Sequence, residues 1–262
     1  FEIICMDDGS FSEHNRQNQQ INTLTNSKFI ENRKNVGSKA NRQRLAENAQ
    51  YEWLLFVDAD SKPKSQDYLL KYIENNEQDY DAVFGGFAYD EKLLDINKTL
   101  RYTFGKHREE VEAFVRNKKP YKVIISANFL IKKSTFINIT KQETKNIYGL
   151  DYLFSSQLKN HCTKLIHTDK ELYHMGLDDN ATILTKTRSA VEALHYFVES
   201  IRIKTHNISL LKAYKRIKFL GFIRLMQWVF QKSESKIEKN LTGRKPNLIL
   251  FDLYRLGYLC SL

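Results

Sequence analysis

Proline is scarce in this chain, with three residues (Pro63, Pro120, Pro246) in 262, and glycine reaches only ten. That composition excludes low-complexity sequence and long disordered linkers. Cysteine is scarcer than a disulfide framework needs. Cys5, Cys162 and Cys260 are odd in number, scattered, and form no C-x-x-C pair. A disulfide scaffold and a cysteine-built zinc site are both excluded, and a reducing compartment is expected. Cys5, inside an apolar run, reads as a small buried apolar group. No stretch of about 18 uncharged apolar residues occurs, so no transmembrane helix is expected. There is no internal repeat. The chain opens directly on a strand-like segment, without an initiator Met or a signal or transit peptide, and so reads as a fragment.

What is present is ordinary in bulk and uneven in charge. The hydrophobic fraction of 42% and charged fraction of 27% are those of a globular protein. The length suits one α/β domain with an extension. Of 41 Lys+Arg and 31 Asp+Glu, residues 183–262 hold 15 and 5, which leaves 26 of each in residues 1–182. The first part is balanced and the whole excess of +10 lies in the C-terminal part, which therefore has a distinct task or partner.

Two acidic clusters each follow a short apolar run. Phe1–Met6 leads into Asp7-Asp8-Gly9-Ser10, and Trp53–Val57 leads into Asp58-Ala59-Asp60. Runs of four to six apolar residues rich in β-branched and aromatic types, ended by a polar turn, read as buried strands of a parallel sheet. Ligands of such sheets bind outside the carboxyl ends of the strands. Between the two, Lys28-Phe29-Ile30 predicts a short strand. After the Asn35-Val36-Gly37-Ser38 turn, Ser38 is expected to cap a helix running to about Gln50. Further on, a helix is expected over Gln66–Glu74, a strand over Asp81–Phe87, a basic helix over Lys98–Arg116, and a strand over Tyr121–Ile131. Then follow a helix over Leu150–Asn160, strands at Thr163–Ile166 and Leu172–His174, and helices throughout from Thr185. The order βαβαβ, then mixed elements, then helices predicts an α/β nucleotide-binding sandwich with a C-terminal α-helical extension.

Asp58-Ala59-Asp60 is the sharper chemical signal. Two carboxylates one residue apart at a strand end can hold Mg²⁺ or Mn²⁺ and leave positions open for phosphate oxygens. A solvated acidic turn is the plainer explanation of that tripeptide taken alone. At Asp7-Asp8-Gly9-Ser10 a carboxylate can accept hydrogen bonds from a nucleobase N–H or a ribose hydroxyl, and Gly9 permits close backbone approach. A helix N-cap explains that segment equally well.

Taken as a set, Phe1–Ser10, Asn35–Gly37 and Leu54–Asp60 resemble the nucleotide-sugar-binding half of family 2 glycosyltransferases of the GT-A fold. The similarity continues in Gly149-Leu150-Asp151-Tyr152-Leu153-Phe154 and His174-Met175-Gly176-Leu177-Asp178-Asp179, so it covers roughly residues 1–185. The resemblance implies a GT-A sandwich with a mostly parallel central sheet over residues 1–182 and a basic helical extension over 183–262. It implies transfer of a sugar from a nucleotide-diphosphate donor to an acceptor hydroxyl, with inversion and with Mn²⁺ or Mg²⁺, in the synthesis of a surface or secreted glycan of bacterial type. One of Asp7 and Asp8, preferably Asp8, would contact the base or ribose, and Asn35 and Gly37 belong to the same nucleotide-binding set. Asp60 would ligate the metal, with Asp58 near ribose and metal. Asp151 would be the catalytic base, and His174 falls where some GT-A enzymes place another metal ligand. Two departures stand out. Leu150 occupies the place of the usual Glu before Asp151. The family's first strand, ending in a Pro-x-Tyr-Asn-like turn, would precede Phe1, and without it weak donor binding is expected.

Among secondary candidates, Gly85-Gly86 reads either as a strand bend or as a place where donor sugar nears the backbone. Ser126-Ala127-Asn128 could line an acceptor site. His107, His161, His167 and His195 lack ligand spacing and read as surface or internally satisfied residues. Asp178 and Asp179 read as caps of the following helix.

Residues 211–230 are basic in their first half and apolar in their second, apart from Arg224 and Gln227. Phe219–Phe230 is too short to span a bilayer, but such a helix can lie in an anionic membrane interface. Packing on the catalytic domain is the alternative. No nucleic-acid recognition motif is present, so no nucleic-acid partner is expected. The expected place of action is the cytoplasm, at the inner face of the cell membrane. Two other functions fit parts of the pattern: a metal-dependent nucleotidyltransferase, and a non-catalytic peripheral membrane protein on a vestigial sugar-nucleotide fold.

Overall fold

The computed structural model describes residues 1–74, 79–141, 151–199 and 208–262, the side chains of Glu74, Asp151 and Tyr152 excepted. In chain order the strands are β1 (Ile3–Asp7), β2 (Ser27–Glu31), β3 (Trp53–Val57), β4 (Ser61–Pro63), β5 (Ala82–Phe84), β6 (Phe87–Ala88), β7 (Asn128–Lys132), β8 (Leu165–His167) and β9 (Leu172–His174). The helices are α1 (Asn15–Asn18), α2 (Ser38–Asn48), α3 (Tyr68–Glu74), α4 (Thr99–Phe104), α5 (Ala113–Asn117), α6 (Lys133–Thr140), α7 (Asp151–Asn160), α8 (Asn180–Glu199), α9 (Ser209–Phe219), α10 (Ile223–Leu241) and α11 (Leu248–Ser261). The result is a mixed α/β chain whose last third is helical, as the order of sequence patterns requires.

Strand order is β1-β2 in one sheet, β3-β7-β5-β8 in the second and β4-β9-β6 in the third. The pairs β1–β2, β5–β8 and β6–β9 are parallel, and β4–β9 is antiparallel. The chain forms two compact units, Phe1–Leu55 with Ile131–Ile147, and Phe56–Leu130 with Tyr148–Leu262. In the first, the register Ile3↔Ser27 to Asp7↔Glu31 aligns β1 and β2 end to end. In the second, Phe56, Phe129 and Phe84 stack at 4.9 and 5.5 Å between ring centres and form a buried aromatic layer.

The helical end of the second unit has its own core. Leu100 of α4, Leu184 of α8, Phe230, Ile237 and Leu241 of α10, and Phe251 and Tyr254 of α11 are buried together. Arg188 of α8 ties the edges: its guanidinium donates to Tyr254 Oη (2.6 Å), Glu234 (2.8 Å) and Glu238 (2.8 Å). Truncating a fully buried member such as Leu100 to Ala costs about 2–5 kcal/mol. Asn247 caps α11 by accepting from the amides of Ile249 and Leu250.

Several expectations change in detail. Ser38 is the first helical residue of α2, not its cap; Gly37 holds the cap position at φ +86°. The strand expected over Asp81–Phe87 breaks at Gly85-Gly86, where Asn128 donates to the Gly86 carbonyl (2.8 Å) and the chain passes from one sheet to another. The bend reading of these glycines therefore holds, and Asn128 is a buried structural residue that also accepts from Tyr68 and Tyr72. The strand expected over Tyr121–Ile131 begins only at Asn128. Upstream, backbone carbonyls of Pro120 and Tyr121 are taken by the side chains of His167 and Ser155. The basic helix expected over Lys98–Arg116 is interrupted by a π turn, Gly105–Glu109. There Glu109 and Glu110 turn inward to Arg101 and to the Tyr89 amide. The helical tail is broken into α9 and α10 by a turn at Gly221. Asp179 caps α8 by accepting from Ala181 N (3.0 Å) and Thr182 N (2.8 Å), as expected, whereas Asp178 pairs with Lys186.

Candidate functional site

The first unit shows what its acidic strand end does. β1 delivers Asp7 and Asp8 to the loop that precedes α2. The Asp8 carboxylate accepts from the amides of Val36 (2.9 Å) and Gly37 (2.8 Å) and from Asn32 Nδ2 (3.3 Å). Asp8 thereby sets the conformation of the Asn35-Val36-Gly37 turn. Gly9 lies against that same turn: a Cβ there would sit 2.4 Å from the Lys34 carbonyl carbon. The close approach anticipated at Gly9 is thus made by the chain's own backbone. Asp7 accepts from Ser10 N (2.9 Å). Burial pushes its carboxyl upward, but hydrogen bonds from Ser10, Asn15 and Gly9 outweigh this and hold it below the usual carboxylate range.

The second unit carries the Asp-Ala-Asp end of β3. Asp58 N donates to Ala127 O (3.1 Å), and Asp58 O accepts from Ser61 N (3.1 Å), so the strand turns tightly into β4. β4 pairs with β9 in the register Ser61↔His174, which brings His174 alongside Asp60. His174 Nε2 lies 3.3 Å from Asp60 Oδ2, and the Asp60 side chain remains about half exposed (49%). That hydrogen bond from His174 holds the Asp60 carboxyl below the usual range, against the opposing effect of burial. Gly176 packs directly against Asp60: a Cβ there would lie 2.2 Å from Oδ2, so the Asp60 side chain occupies the space that only glycine leaves.

Behind His174 runs a buried polar chain. Arg101 Nη2 stands 3.2 Å from His174 Nδ1 and 2.9 Å from Glu109 Oε2, and Tyr89 Oη also bonds Glu109. The His174 ring stacks on Phe87 at 5.0 Å and 7°. A guanidinium can only donate, so Nδ1 must accept. The neutral ring then carries its proton on Nε2 and directs it at Asp60; this tautomer is inferred from the partners. Burial works against the Arg101 charge, and the Glu109 carboxylate more than restores it. Arg101 Nη1 is buried without a hydrogen-bond partner.

Of the site residues expected from sequence, Asp60 and His174 come together in the second unit, with Asp58 in the same turn as Asp60, and Asp8 meets the Asn35–Gly37 turn in the first, next to Asp7. Asp151 is the first residue of α7, but its side chain, with Gly149 and Leu150, lies outside the described residues. Arg101, Glu109 and Tyr89 went unrecognised because nothing in a basic helical run marks one arginine as buried. Among the described residues, no group of three or more His, Cys, Asp or Glu side chains could hold a metal by itself. The donor type nonetheless suits a hard cation: the Asp60 carboxylate is about half exposed, with Asp58 two residues before it.

A partly parallel α/β chain with carboxylates at its strand ends has the layout of the nucleotide-binding α/β proteins. The profile described as Glycosyl transferase family 2 matches residues 1–140, more than half of the sequence, and the chain belongs to that family. It is 24% identical over 177 residues to the uncharacterized glycosyltransferase MG060 of Mycoplasma genitalium, covering 64% of this chain and 56% of that protein. Its fold is similar to the mannosyltransferase PcManGT of Pyrobaculum calidifontis, solved with GDP-Man and Mn²⁺ (TM-score 0.50, 13% identity, 78% of this chain and 56% of that one). It is also similar to S. aureus TarS 1-349 in complex with UDP-GlcNAc (TM-score 0.50, 17% identity, 98% of this chain and 81% of that one). The chain therefore spans a little over half the length of the curated relative it matches. The GT-A fold inferred from sequence is the fold found.

Proposed function

We propose that the chain is a metal-dependent, inverting glycosyltransferase that moves a sugar from a nucleotide-diphosphate donor to an acceptor hydroxyl in the synthesis of a surface or secreted glycan. The observation that carries this reading is the Asp60 carboxylate: ionised, half exposed, fixed by His174 and given its place by the missing side chain of Gly176. The relatives support the donor class, since PcManGT was solved with GDP-Man and Mn²⁺ and TarS with UDP-GlcNAc.

In this reading Asp60, with Asp58, holds Mn²⁺ or Mg²⁺. Such a cation supplies positive charge to the departing diphosphate. His174 is the residue whose role departs most from expectation. Its Nε2 proton faces Asp60, so it offers the carboxylate a hydrogen bond and offers a cation no lone pair; it orients Asp60. Arg101 and Glu109 fix that orientation. Asp8 shapes the Asn35–Gly37 turn, and Asp7, held by its near neighbours Ser10, Gly9 and Asn15, is taken as the nucleoside-facing carboxylate of the pair. Asp151 takes the acceptor hydroxyl proton as the new bond to the anomeric carbon forms and the bond to the diphosphate oxygen breaks. No covalent enzyme intermediate is needed. Residues 1–182 form the catalytic part and 183–262 the basic helical extension, and the reaction takes place at the cytoplasmic side of a membrane.

The test is a screen of nucleotide-diphosphate sugars with and without Mn²⁺, read by mass spectrometry. Metal-dependent release of nucleoside diphosphate from at least one donor is expected. Turnover that proceeds equally well in chelator, or attack at phosphorus to give a nucleoside monophosphate adduct, would overturn the assignment.

A further inference from the structure

The α9–α10 corner has a feature that the core does not explain. α10 carries two apolar faces. Phe230, Ile237 and Leu241 are buried against α11 and its neighbours. Leu225, Trp228 and Val229 lie on the opposite side at i, i+3 and i+4, and all three are exposed, Trp228 by 58%. Phe219, at the end of α9, is 89% exposed, and Leu220 and Phe222 in the turn are also exposed. Between them Gly221 adopts φ +76°, and a Cβ added there would meet no atom within 4 Å, so the turn stands clear of the body. A contiguous apolar tip of this kind on a chain that folds without it marks an interaction surface.

The charge around the tip selects the partner. From Ile208 to Lys232 the sequence holds six Lys or Arg and no Asp or Glu. In α9, Lys212 and Arg216 share the face that ends at Phe219. In α10 the outer stripe continues from Leu225 and Val229 into Lys232, which lies at i+7 from Leu225. Aromatic and aliphatic side chains leading, with long cations set one turn behind, is the arrangement that places rings at the acyl boundary and ammonium groups at lipid phosphates. No described helix is long and apolar enough to cross a membrane, so the contact is one of lying on the surface.

We propose that the α9–α10 corner docks the chain on an anionic lipid bilayer, with Phe219, Phe222, Leu225 and Trp228 entering the interface and the surrounding cations meeting the headgroups. This inference deepens the membrane-side location in the proposed function, but it concerns a surface other than the transfer site and uses no catalytic residue, so loss of vesicle binding and loss of transfer are read separately.

Flotation with vesicles of phosphatidylcholine alone, or with an equal part of phosphatidylglycerol, tests it on the full chain. Binding is expected only to the anionic vesicles. The double variant Leu225→Ser/Trp228→Ser should abolish it, with an unchanged circular dichroism spectrum because both residues are exposed. The variant Lys212→Gln/Arg216→Gln/Lys218→Gln should weaken it by more than about tenfold, since each cation adds to attraction to the leaflet. Brominated lipid should quench the native tryptophan emission, and that quenching should vanish in Trp228→Phe. Absence of binding to anionic vesicles, or binding that survives both multiple variants, would overturn the proposal. So would sedimentation showing a dimer that Leu225→Ser/Trp228→Ser disperses, since a second copy would then cover the face.

Discussion

Two Arg–His pairs in the second unit are built alike and end differently. Arg116 donates to His167 Nδ1 at 2.8 Å, and Arg101 donates to His174 Nδ1 at 3.2 Å. In both, the donor forces the ring proton onto Nε2. His167 donates from that N–H to the Pro120 carbonyl at 2.7 Å, inside the protein. His174 donates from its own to Asp60, a half-exposed carboxylate. Arg116 is surrounded by the carbonyls of Val111, Phe84 and Thr168, whereas Arg101 keeps one buried nitrogen without a partner. The device is the same, but one copy closes on the backbone, while the other opens on the half-exposed strand-end carboxylate of the proposed site. A buried arginine beside a histidine is thus not itself a functional mark; the next acceptor decides.

The comparison can be broken at either end, and the largest effects belong to the open pair. Asp60→Asn removes the anchoring carboxylate charge and should lower donor turnover about 10³-fold with little change in thermal midpoint. Asp151→Asn should cost about 10²–10⁴-fold as a lost general base while sparing metal–nucleotide binding. Steady-state rates and nucleotide titrations on each variant check both.

The closed pair should speak through pH. Burial, with the Arg116 charge beside it, lowers the His167 pKa to about 4, from an ordinary value of 6.5, against the effect of the Pro120 carbonyl. Between those values the unfolded chain binds more protons than the folded one. The contribution is therefore fully present above about pH 6.5 and is lost as the pH falls towards about 4, on the order of 3 kcal/mol in all. Urea unfolding at pH 7 and pH 4.5 should show this loss in the native chain and a smaller one in His167→Phe. At neutral pH that same variant should be less stable by about 1–3 kcal/mol, because Arg116 and the Pro120 carbonyl lose a buried partner.

Smaller effects sharpen the contrast. Asp8→Ala leaves the amides of Val36 and Gly37 without their acceptor and should cost about 1–2 kcal/mol in chemical unfolding. His174→Phe keeps a ring on Phe87, leaves Asp60 in water and leaves Arg101 Nη2 with Glu109, so its stability should fall by about 1 kcal/mol, less than in His167→Phe, while turnover falls. An equal stability loss in His174→Phe and His167→Phe would erase the distinction between the pairs.

The two acidic strand ends were legible in the sequence because the runs before them, Ile3–Met6 and Trp53–Val57, are apolar and stop at polar turns. Helix α2 was legible from the Asn35–Ser38 turn that precedes it. What lay beyond local pattern was the company each carboxylate keeps. Asp8 and Asp60 look alike in sequence, yet one is engaged by amides 28 and 29 residues away and the other by a histidine brought in through β4–β9 pairing. Arg101 lies 73 residues from His174 and sits in a run that reads as a solvated basic helix. Its burial follows from the π turn that aims Glu109 inward, which no local propensity announces. The Gly85-Gly86 break and the late start of β7 likewise depend on side chains from elsewhere taking up backbone groups, Asn128 and His167 among them.

The most direct measurement is Mn²⁺ binding by electron paramagnetic resonance, with a nucleoside diphosphate present, in the native chain, Asp60→Asn and His174→Phe. If Asp60 anchors the cation and His174 only orients it, Asp60→Asn should lose the bound-Mn²⁺ signal and His174→Phe should retain it with reduced affinity. Equal Mn²⁺ binding by Asp60→Asn and the native chain would contradict the account.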